Sequence, residues 1–88
     1  MPLTDAARNR PRLPKPGQVV RVALRIAAGL GIPEPAALAF VEDMAGAAMR
    51  QLPHDDGAAL TWCYQVQARA RTLAGLAREA ERTASRRP

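Results

Sequence analysis

Residues 56–84 read DGAALTWCYQVQARARTLAGLAREAERTA, a long run without proline. Asp56, or Asp55 before it, suits an N-cap, because a short carboxylate accepts hydrogen bonds from the free amides of a first helical turn. Ala59, Cys63, Val66, Ala70, Leu73, Ala77, Ala80 and Ala84 follow at alternating steps of four and three, the spacing of a coiled-coil seam. One long helix over residues 56–84 is the reading that decides an all-α fold. Beyond Leu76 no large apolar residue remains. The far end has little to bury and is expected to project or fray.

Moving back along the chain, Pro53 closes an earlier apolar-periodic segment. Ala37, Val41, Met44, Ala48 and Leu52 trace one stripe, with Phe40 and Ala47 beside it. Pro33 and Glu34 suit its first turn, where proline's missing donor is harmless and a carboxylate complements the helix dipole. This predicts a second helix over 34–52. A first helix is predicted over 17–29. Val19, Val22, Ala23, Ile26 and Leu30 fall on one face, widened by Val20, Leu24 and Ala27, while Arg21 and Arg25 lie together on the other side. Gly29 and Gly31 supply the left-handed conformation that ends helices. The β-branched valines leave a short strand over 18–24 as the alternative.

Residues 1–16 hold four prolines and four cations, Arg8, Arg10, Arg12 and Lys15. Proline lacks an amide donor and turns its predecessor away from helix, so an extended basic arm is expected here, with a short tail over 85–88. The organisation read from sequence is a three-helix bundle over 17–84: a helical hairpin and a longer third helix packed across it.

Composition bounds the function. The chain has 88 residues, enough for one domain. Apolar residues reach 48%, too many for a wholly disordered chain, but many are alanines, which favour helix and bury little. The only aromatics are Phe40, Trp62 and Tyr64. The core should be thin, leaving a role for a partner or a second copy in completing burial. No stretch approaches the roughly 20 apolar residues that span a bilayer, no secretory leader is evident, and the single Cys63 excludes an internal disulfide. These features point to a cytoplasmic protein without membrane association. Net charge is +5, unevenly spread. Glu34, Glu42, Asp43, Asp55 and Asp56 face only Arg50 in the middle, between two basic flanks. Such segregation favours an anionic partner.

The stretch ALRIAAGLGIPEPAALAF, residues 23–40, resembles the helix-turn-helix pattern. Ala27 stands where that motif takes a small residue, Gly31 lies in the turn between Leu30 and Ile32, and Ala37 and Phe40 follow at buried positions. The resemblance implies base reading by the second helix. The side chains there argue against it: Glu34, Pro35, Ala36, Ala39, Glu42 and Asp43 offer no donors for base edges and place acids against phosphates.

The positive candidates lie elsewhere. Arg71, Arg78 and Arg82 are spaced by seven and four and align on one helical face, with Arg69 to the side. Such a row tracks phosphates without reading sequence; its plain alternative is a solvated face tempered by Glu79 and Glu81. The arm adds Arg8, Arg10, Arg12 and Lys15. Trp62 and Tyr64 flank Cys63 and are candidate interface anchors, one of them left partly exposed. No catalytic or metal site is expected. His54 and Cys63 are too few for structural zinc, helical phase gives them no reason to meet, and no phosphate-binding glycine loop follows a strand. The leading expectation is a non-enzymatic module, without cofactor, binding nucleic acid or a nucleoprotein complex through the arm and the third-helix arginines. The rival is a protein-interaction adaptor or inhibitor docking through Trp62, Tyr64 and the apolar edges of the first two helices. A homodimer built on the alanine seam of the third helix is the structural alternative.

Overall fold

The computed structural model describes residues 13–86 and is a three-helix arrangement: α1 (Pro16–Gly29), α2 (Glu34–Gln51) and α3 (Gly57–Ser85), with α3 the longest. The bounds agree with the sequence expectation to within a residue at each end. Of the arm expected over 1–16, residues 1–12 with Arg8, Arg10 and Arg12 lie outside the described residues, as do 87–88 of the expected tail, whereas Pro16 already belongs to α1 and Ser85 still to α3.

Local chemistry sets each boundary. Pro16 opens α1 in the first turn, where its fixed φ suits the helix. Gly31 adopts φ 74°. Its amide donates to the Ala28 carbonyl at 3.2 Å, and the Ile32 amide donates to Ala27 at 2.9 Å, the paired bonds of a Schellman C-cap. Glu34 and Pro35 start α2. Leu52, preceding Pro53, is extended with ψ 146°, because the proline ring crowds a helical predecessor. Asp56 Oδ1 accepts from the Ala59 amide at 3.3 Å and starts α3.

α3 packs against both α1 and α2, most extensively against α2. Val20, Leu38, Ala45, Val66, Ala70 and Ala74 form the buried core, with Val19, Leu24, Val41, Trp62, Leu73 and Ala77 partly buried around it. Among the described residues, Leu38 and Val20 are the largest side chains almost fully sealed from solvent. The core is as thin as the alanine content implies.

The packing departs from the periodic stripes in three places. On α3 the buried series is Cys63, Val66, Ala70 and Ala74, not the strict seam through Leu73 and Ala77. A straight helix of 3.6 residues per turn drifts off a 3.5-residue repeat, so the stripe shifts to Ala74. Ala70 and Ala74 are buried against the chain's own helices, which occupies much of the seam expected to hold a second copy. On α2, Leu38 and Ala45 are buried while Met44 and Phe40 are exposed. On α1, Val20 and Ala27 are buried while Val22, Ile26 and Leu30 are exposed. At 100° per residue the apolar arc of α1 from Val22 to Leu24 is roughly 200° wide, and α3 covers only the half containing Val20 and Leu24. As expected, the end of α3 projects: every residue from Arg78 to Arg86 is exposed.

Candidate functional site

α3 lies across one side of the α1–α2 hairpin and leaves the other side uncovered. On that outer side stand Leu30 (71% exposed), Phe40 (65%), Ile26 (60%) and Met44 (55%), with Val22 and Ile32 about half exposed. Four of them, Ile26, Leu30, Ile32 and Phe40, edge a groove between α1 and α2. Its lining is entirely apolar: Ala23 and Ala27 from α1, Ala36, Ala37 and Val41 from α2, and Ile26, Leu30, Ile32 and Phe40 along the rims. A second apolar depression continues past Phe40 and Met44 to Trp62. Scattered exposed apolar side chains are ordinary, but a contiguous patch of this extent on a small chain marks a contact surface.

The groove owes its shape to residue size. Alanines form its floor because they let the α1 and α2 backbones approach, and the long side chains rise at its edges. Gly31 and Ile32, through the C-cap, fix the angle at which the chain leaves α1 and enters α2, and so fix the groove's closed end.

The aromatic anchors separate. Trp62 is half-buried, and its Nε1–H donates to the Pro14 carbonyl at 2.6 Å, tying the segment before α1 to α3. Tyr64 is exposed. Trp62 therefore joins the end of the apolar surface, while Tyr64 lies outside both apolar depressions.

The arginines also divide. Arg71 Nε donates to Glu42 at 2.9 Å, and Arg82 pairs with Glu79 at 2.7 Å. The row Arg71, Arg78 and Arg82 is thus partly neutralised, once by the acidic second helix and once within α3. Arg69 behaves differently. Together with Lys15, Gln18 and Arg21 it lines a shallow concavity at the start of α1, which among the described residues has no carboxylate in its lining. The Arg69 guanidinium packs against Gly17, 3.3 Å from where a side chain there would begin. Three cations at the positive end of α1 repel one another and the helix dipole, with no acidic residue in the first turn of α1. The sequence separated Arg21 from Arg69 by almost fifty positions, so only the α1–α3 packing brings this cluster together.

His54 is exposed in the turn before α3, and Cys63 is buried. Among the described residues no three potential ligands cluster for a metal, and no helix is long and apolar enough to cross a membrane. The first half of α2 exposes Glu34, Ala36, Ala39, Phe40 and Asp43, with the donors Arg50 and Gln51 only at its end, a surface unlike a base-reading helix. Compared with family models, curated proteins and solved structures, the chain matches none.

Proposed function

We propose that this chain is a small non-enzymatic docking module that binds a protein surface through the outer face of the α1–α2 hairpin. The observation that carries this reading is the uncovered apolar groove edged by Ile26, Leu30, Ile32 and Phe40. Burying a side chain of this size is worth about 1.5–3 kcal/mol, and no charged group lies in the groove to oppose it. Trp62 extends the surface at one end. Tyr64, also exposed, is the lesser anchor. The test is photo-crosslinking in cells, with a photoreactive residue at position 40 or, as a control, at the exposed position 72 of α3. Docking through the groove gives a discrete protein adduct from position 40 and none from position 72. Equal labelling from both positions contradicts it.

A second reading rests on the cationic concavity of Lys15, Arg21 and Arg69. It supports contact with an anionic partner, nucleic acid or a nucleoprotein complex, on the side of the molecule where the arm bearing Arg8, Arg10 and Arg12 joins α1. Arg78 and the partly paired Arg71 and Arg82 are the lesser contributors. Such contact is electrostatic and weakens steeply with salt. Fluorescence polarisation with labelled DNA and RNA at low and moderate salt checks it; no binding at low salt removes it.

A further inference from the structure

The docking reading leaves open what covers the groove, and we infer that it is a second copy of the same chain, paired face to face through the α1–α2 hairpin. Three features point to self-pairing. First, the surface is self-complementary in shape. The groove has a volume of about 470 Å³, against the roughly 150 Å³ that encloses a benzene ring. A phenyl ring and a neighbouring aliphatic chain fit it together, and Phe40 with Met44 stands beside it.

Second, the edges are complementary in charge. The outer edge of α1 carries exposed Arg25, and the outer edge of α2 carries exposed Asp43, with exposed Arg50 two turns farther along. At 1.5 Å per residue, Arg25 lies about 6 Å from the end of α1 and Asp43 about 13 Å from the start of α2, an offset that a long arginine side chain spans. A two-fold axis parallel to the helices sets α1 of one copy over α2 of the other. That brings Arg25 of each copy toward Asp43 of the other. A two-fold across the helices sets α1 on α1 and brings like charges together. The charges thus select one arrangement, and its four helices are antiparallel to their neighbours, as in an up-and-down bundle.

Third, the extent suits a dimer. Six large apolar side chains, each about half exposed or more, together with the alanine floor and Trp62, offer several hundred Å² per copy. A standard interface takes about 800 Å² from each partner, which the charged edges and the connection around Ile32 complete. The N-terminal arm is a poor occupant by comparison, since residues 1–12 hold Met1 and Leu3 as their only large apolar side chains and carry three arginines.

The experiment is sedimentation equilibrium of the full chain from low micromolar to near-millimolar concentration. The expected wild-type result is a reversible shift from 9.5 kDa to twice that mass. Phe40→Asp should weaken the dimer by at least about thirty-fold, as for an interface hot spot, with its helical circular-dichroism signal retained. Asp43→Lys should weaken it less, and adding Arg25→Glu should restore it. A wild-type chain that stays at 9.5 kDa throughout overturns the second copy. So does a dimer that Phe40→Asp and Asp43→Lys both leave intact. A protein adduct from position 40 to a different chain keeps the docking reading alive when the second copy fails; a lack of any adduct removes both.

Discussion

The inner and outer faces of the α1–α2 hairpin are built from the same kinds of residue and have opposite fates. Val20, Leu38 and Ala45 on the inner face are buried under α3, whereas Val22, Ile26, Leu30 and Phe40 on the outer face stand in solvent. A three-helix chain has one helix to lay across a hairpin, and α3 covers one side only. Apolar content therefore exceeds what the fold consumes. The inner face holds the monomer together, and the outer face is surplus to it.

The comparison breaks first at Leu38. Leu38→Ala empties the most buried large side chain and should cost about 2–5 kcal/mol, enough to unfold so thin a domain near room temperature. Ile26→Ala, made in the Phe40→Asp background to keep the chain single, should change stability by less than about 0.5 kcal/mol, the range of ordinary surface substitutions. Paired thermal or urea melts measure both. Comparable losses at the two positions would erase the distinction between the faces.

The join between the faces is sharpened by Gly31. Its φ of 74° is left-handed, and Gly31→Ala should destabilise by about 1–2 kcal/mol in chemical denaturation. No atom lies within 4 Å of the added methyl, so backbone conformation alone accounts for the loss. Trp62→Phe removes the hydrogen bond to the Pro14 carbonyl while keeping an aromatic body. A loss of about 1 kcal/mol is expected, read as a lower denaturation midpoint. The smallest effect belongs to Arg71 and Glu42. The Arg71 side chain is 65% exposed and that of Glu42 26%, so solvent still screens the pair from the arginine side, and a double-mutant cycle should give a coupling of about 0.2–1 kcal/mol that falls with added salt.

The helices themselves were legible because prolines and glycines punctuate the chain at Pro16, Gly31, Pro33 and Pro53, and because Asp56 caps α3. The choice of inner face was less so. On α1 the apolar arc is so wide that periodicity admits Val22, Ile26 and Leu30 as readily as Val20 and Leu24; only the position of α3 decides. Leu38 went unnoticed because it sits between two alanines, outside the stripe through Val41 and Met44. Among the candidate site residues, Trp62 and Tyr64 divided as helical phase requires, one half-buried and one exposed. The aligned arginines of α3 were legible as a row, but their pairing was not. Glu42 reaches Arg71 across a helix–helix contact that linear spacing does not encode. The same applies to the cluster of Lys15, Arg21 and Arg69, whose signal is three-dimensional.

The most direct measurement is solvent paramagnetic relaxation of methyl groups by a soluble gadolinium chelate, followed over protein concentration. Leu76 is as exposed as Ile26 but lies on α3, outside the lining of the groove, and serves as the internal reference. The methyls of Ile26 and Leu30 should be as strongly relaxed as those of Leu76 in dilute solution and become shielded as concentration rises, while Leu76 does not change. If Ile26 and Leu30 track Leu76 at every concentration, the outer face is ordinary surface and does not pair.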